Sequence, residues 1–184
     1  MSQVFVSGHK SPDTDSIAAA LSYSYLKRRL GMDAVAVRAG EINKESRFAL
    51  DYFNLEEPML VTSVARKNPE DEKQKVILVD HNESKQTIDG MDDAEVLEII
   101  DHHRFGDFES ENPIFILVRP VGCVNTVIYG LYKANHIKPS REIAGIMLSA
   151  IISDTVLFRS PTTTEEDKET AKELAEIAGV DYEA

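Results

Sequence analysis

The feature that most constrains this chain is an alternation of short apolar runs with segments of helical periodicity, two of the runs ending in aspartate. "QVFVSG", "DAVAVRAG", "KVILVDH", "EVLEIIDHH" and "PIFILVRP" read as strands. "SIAAALSYSYLKRRLG", "KESRFALDYFN", "VGCVNTVIYGLYKANH" and "SREIAGIMLSAIISD" read as helices between or after them. Strands joined through helices come out parallel, so the pattern predicts an α/β fold: a parallel-sheet, three-layer αβα domain spanning residues 1–184. The helix at 140–154 is apolar nearly all round and belongs in the core. Ser16 is a candidate N-cap for the first helix and Gly31 a candidate stop. A last helix is expected from Thr163, with Glu166 at capping-box spacing, to about Gly179. The charged stretch 65–75 reads as a loop.

Composition narrows the class of function. The 184 residues carry a net charge of −12, which argues against a nucleic-acid partner, since such binding needs a basic surface. It leaves an anionic substrate open, because bound cations can invert a local field. One cysteine permits no internal disulfide, and no apolar run reaches membrane-spanning length. A cytoplasmic protein with no membrane partner is expected.

The chemistry concentrates at the carboxyl ends of the predicted strands. "GHKSPDTDS" places His9, Asp13 and Asp15 after the first strand. Asp80 ends "VILVD", Asp101, His102 and His103 follow "VLEII", and Asp154 ends the apolar helix. Open α/β sheets gather such groups into one crevice. Two carboxylates 4 Å apart repel by about 4 kcal/mol at an effective dielectric near 20, so five converging there require cations. The donors are too many for one ion and suit two sharing a carboxylate. Imidazole with carboxylate and no thiolate favours Mn, Co, Mg or Fe over a structural zinc. Taken alone, "HKSPDTD" would read as a solvated turn with a helix cap. His81 is open between support of the site and simple bonding in a turn, and Cys123 reads as packing.

In this order, "GHKSPDTDS", "VILVDHNE", "IIDHHR", "RPVGC" and "AGIMLSAIISDTVLFRSPT" resemble the motifs of the DHH phosphoesterase superfamily, and more closely the family II, manganese- or cobalt-dependent inorganic pyrophosphatases. The resemblance implies hydrolysis of pyrophosphate to two phosphates by water activated between two divalent ions, Mn preferred, with Co and Mg as others. It assigns His9 and Asp13 to one ion, Asp15, His102 and Asp154 to the other, and Asp80 as the bridge. It makes His103 and Asp101 the catalytic residues, His103 facing the substrate and Asp101 orienting a ligand or the attacking water, and it implies a homodimer.

The resemblance also implies what this chain lacks. Such proteins carry a smaller C-terminal domain whose Lys and Arg clamp the phosphates, and here the final helix at about 163–179 would lead into the linker. Some carry inserted CBS domains where this chain has only 65–75. Arg119 stands where many members have an acidic residue. The other readings are a different phosphoesterase of the superfamily, acting on oligonucleotides, nucleoside bisphosphates or polyphosphate, and a metal-binding dimerisation module with little activity alone.

Overall fold

A computed structural model describes residues 3–182. Six strands form one all-parallel sheet: β1 (Val4–Ser7), β2 (Ala34–Arg38), β3 (Met59–Leu60), β4 (Lys75–Val79), β5 (Glu95–Asp101) and β6 (Phe115–Val118). Their order across the sheet is β3-β2-β1-β4-β5-β6. The chain builds outward from β1 to β3, then returns to the other side of β1 and builds outward again. The gap between β1 and β4 is therefore the switch point, where a crevice opens above the strand ends.

Five helices complete the fold: α1 (Thr14–Arg29), α2 (Lys44–Tyr52), α3 (Val124–Ala134), α4 (Arg141–Asp154) and α5 (Glu165–Ala178). The strand pleat sorts the core in two. Val4, Val6, Ala36, Ile77, Val79 and Ile100 join the main cluster with the buried faces of α1, α3, α4 and α5. Val37, Val76, Leu78 and Ile99 point the other way, into a smaller cluster with Val64 and Ile88. That second face is roofed by irregular segments and 3-10 turns rather than by an α-helix. The α/β class and the parallel sheet are as the alternation predicts. The apolar α4 is indeed a core helix, packed against α1, α3 and α5.

Two details depart from the expected pattern. Val76 pairs with Val96 but Ile77 pairs with Glu98, so Leu97 is a bulge in β5. The short edge strand β3 has no sequence signature, since two residues carry no periodicity.

The helix caps also differ from those expected, by competition between neighbouring capping residues. The N-cap of α1 is Asp13, whose Oδ1 accepts from the Ser16 amide at 2.9 Å. The N-cap of α5 is Thr164, and its capping box closes with Asp167, not Glu166. Asp167 is fully buried and also accepts from the Gly122 amide at 2.8 Å and the Thr126 hydroxyl at 2.6 Å, tying α5 to α3. Glu166 instead receives both guanidinium nitrogens of Arg119, at 2.8 and 2.7 Å, on the surface. Hydrogen bonds to a buried charge contribute most, so Asp167→Ala is expected to destabilise the fold by about 3 kcal/mol or more in urea melts. Glu166→Ala, which breaks an exposed pair, is expected to cost about 1 kcal/mol or less in the same melts.

Candidate metal centre

The site begins with the close approach of α1 to the end of β1. Gly8 lies against the first turn of α1: a Cβ there would sit 1.8 Å from Ser16 Oγ and 2.9 Å from the Ser16 carbonyl oxygen. Only glycine admits that contact, and Ser16 Oγ uses it to accept from the His9 amide at 3.0 Å. His9 is thereby turned inward. Its Nε2 lies 3.6 Å from Asp13 Oδ1 and 3.3 Å from Asp80 Oδ2.

Asp80 is at the centre. It follows β4 with φ at 63°, a left-handed conformation that aspartate tolerates better than most residues. Its side chain is 1% exposed, and both carboxylate oxygens are buried without a hydrogen-bond donor. On its other side, His102 Nε2 lies 3.2 Å from Asp80 Oδ1, 3.5 Å from Asp15 Oδ2 and 3.8 Å from Asp154 Oδ2. That Nε2 is also buried without a partner. His102 Nδ1 faces the Val121 carbonyl at 3.0 Å, so it carries a proton, and Nε2 is the nitrogen presented to the carboxylates.

Asp15 is held by two helix N-termini. It lies in the first turn of α1, and it also caps α3, accepting from the Val124 amide at 2.8 Å, the Cys123 thiol at 2.9 Å and the Asn125 side chain at 2.6 Å. The helix dipoles favour its negative charge. The role of Asn125 was not legible in sequence, and Cys123 is a hydrogen-bond donor as well as a packed side chain. Burial, and then the charge of Asp15, push the Cys123 thiol well up, so it remains a donor. Asp101 is saturated: Oδ2 accepts from Asn82, and Oδ1 accepts from the His102 amide at 2.7 Å and from His103 Nδ1 at 2.9 Å. His81 bonds the Val79 carbonyl through Nδ1 at 2.9 Å, and burial drives its pKa down to about 4.

All eight residues singled out in the sequence converge here. Three sets place donor atoms within 4.8 Å of one another: His9, Asp13 and Asp80; Asp80, Asp101, His102 and His103; and Asp15, Cys123 and Asp154. The charges strain one another. Burial and the neighbouring Asp15 push Asp80 and Asp154 up. Burial depresses the His9 imidazolium, but contact with Asp13 and Asp80 outweighs it and lifts His9 to about 10. His102 rises to about 9 against the same burial penalty, through Asp80 and Asp15. Without cations, the carboxylates are balanced by protons. A separate cleft of about 1020 Å³, lined by Ser84, Asp89, Phe108 and Ile114 among others, contains none of these eight residues.

Residues 3–151 match the N-terminal domain of the DHH family, a span holding every residue of the cluster except Asp154. The chain belongs to the DHH family. Among DHH relatives, the manganese-dependent inorganic pyrophosphatase of Bacillus subtilis is 50% identical over 183 residues, covering 100% of this chain and 58% of its own length. A solved structure from Methanococcus jannaschii, described provisionally as a family II inorganic pyrophosphatase, superposes with a TM-score of 0.87 at 43% identity, over 97% of this chain and 57% of that one. An exopolyphosphatase-related protein of Bacteroides fragilis shares the fold at a TM-score of 0.73 and 19% identity, over 98% of this chain and 54% of that one. The chain thus spans little more than half the length of these relatives. Among the described residues, no helix is long and apolar enough to cross a membrane.

Replacing Gly with Ala usually stabilises by restricting the unfolded chain. At Gly8 the overlap with Ser16 outweighs that gain. Gly8→Ala is expected to destabilise the metal-free protein by about 1–3 kcal/mol, read from thermal melts in chelator.

Proposed function

We propose that this chain is the catalytic domain of a manganese-dependent inorganic pyrophosphatase, which hydrolyses pyrophosphate to two phosphates. Asp80 carries the reading: its two carboxylate oxygens are buried without a hydrogen bond and face two groups of His and Asp, a setting in which a pair of cations would neutralise the converging charge. The donor set fits such ions. His9 and Asp13 with Asp80 Oδ2 would hold one; Asp15, His102 and Asp154 with Asp80 Oδ1 would hold the other. Imidazole and carboxylate without thiolate suit Mn²⁺, with Co²⁺ or Mg²⁺ as substitutes. When bound, such a pair supplies Lewis acidity toward phosphoryl oxygens and a water acidic enough to be nucleophilic near neutral pH.

The protein supplies orientation. His103 is half exposed, with Nδ1 committed to Asp101, so its Nε2 is free to donate to a phosphate oxygen or to protonate the leaving phosphate. The new bond runs from water oxygen to one phosphorus, the bridging P–O bond breaks, and no covalent enzyme intermediate is needed. We place the Lys and Arg groups that neutralise the phosphates in the remaining length that the relatives carry. The acidic net charge of −12 supports a small anionic substrate held by cations over a nucleic acid.

We place the protein in the cytoplasm as a homodimer. Edge strand β6 exposes Phe115 at 49% and Ile116 at 42%, a surface suited to pairing with a second copy. Ile116→Lys is expected to shift sedimentation from dimer to monomer; an unchanged dimer overturns this arrangement.

Phosphate release from pyrophosphate by the full-length protein with Mn²⁺ tests the function, with dinucleotides and polyphosphate as competitors. Turnover of pyrophosphate alone is expected, and its absence overturns the reading. Saturating Mn²⁺ at about 100 times its Kd should stabilise the fold by about 2.7 kcal/mol. Asp80→Asn is expected to abolish that rise in Tm and to lower turnover at least about 100-fold.

A further inference from the structure

Asn82 is 1% exposed and lies two residues beyond Asp80, yet it faces none of the donors just assigned to cations. Its side chain is used at both ends. Nδ2 donates to Asp101 Oδ2 at 2.6 Å and to the Arg104 carbonyl at 3.0 Å, while Oδ1 accepts from the Gly106 amide. These partners fix the amide's orientation, because the flipped form would set its oxygen against a carboxylate and a carbonyl. Asp101 is fully buried and has no other donor at Oδ2. Its Oδ1 is occupied by His102 and His103 amides and by His103 Nδ1. The Asn82 bond thus fixes the second oxygen of the carboxylate that holds the His103 ring.

We propose that Asn82 is a positioning residue for His103: through Asp101 and the 104–106 turn it fixes the imidazole so that Nε2 meets the phosphate substrate. This deepens the pyrophosphatase reading and rests on it. Removing the amide strands a buried carboxylate oxygen, frees Asp101 to rotate, and releases the ring and the turn together.

Two measurements test this, one independent of turnover. In the metal-free protein, the His103 Nδ1 proton bonded to Asp101 should give a slowly exchanging downfield NMR resonance, assigned by its loss in His103→Gln. Asn82→Ala, and the neutral, smaller polar Asn82→Ser should Asn82→Ala fail to fold, are expected to broaden or abolish it. An unchanged resonance overturns the proposal. In full-length protein, Asn82→Ala is expected to lower kcat for pyrophosphate about 10- to 100-fold, with Mn²⁺ affinity and KM shifted less than about threefold. The double variant with His103→Gln should be no slower than His103→Gln alone, within about threefold, because Asn82 acts only through that ring. Additive losses show a general structural role and overturn the proposal. If the parent protein does not turn over pyrophosphate, the function falls and the resonance alone decides the role of Asn82.

Discussion

The buried carboxylate of Asp80 is the constraint around which the rest is arranged. Its oxygens make no hydrogen bond, and His81 Nε2 and His102 Nε2 beside it are likewise buried without a partner. A fold of ordinary stability does not retain such a group without compensation, because the penalty for one isolated buried charge is comparable to the whole free energy of folding. The surroundings show how the strain is contained. The two flanking histidines present Nε2 to opposite oxygens of the same carboxylate. In the absence of cations, protons on those imidazoles balance part of the charge.

Helix ends supply much of the remaining electrostatic support. Asp13 and Asp15 both serve as terminal groups, the first for α1 and the second for α3 as well. One carboxylate thereby joins two helices that lie far apart in the chain, through donors the protein itself provides. The same economy appears at Asp167, which closes its own helix and holds the loop before α3. Site and scaffold are built from the same bonds.

Much of this was legible in the sequence, and the limits have physical causes. Parallel strands bring their carboxyl ends to one edge, so Asp80, Asp101 and His102 could be placed together from periodicity alone. The resemblance of the motifs sorted them into two groups, and the distances around Asp80 are compatible with that sorting. Capping was harder to read, because Asp13 and Ser16, or Glu166 and Asp167, are both competent and only the loop geometry chooses between them. Asn82 and Asn125 give no signal in the sequence, and Cys123 reads there only as packing, because their partners come from distant elements. Amides and thiols carry no pattern of their own; a contact such as Asn125 with Asp15 exists only once α3 lies across α1.

The bulge at Leu97 shows how finely the centre is indexed. Beyond it, Val79 is level with Ile100, and the Asp80 amide reaches the Ile100 carbonyl, which sets Asp80 beside Asp101. Were β5 one residue shorter, the pleat would invert: Ile99 and Ile100 would exchange the two cores, and the histidines would turn away from their neighbours. The chain therefore tolerates drift in length very unevenly. Residues gained or lost at 67–72 vanish into a surface loop, whereas a single residue in β5 works like a gear tooth, turning a reactive edge into a greasy one.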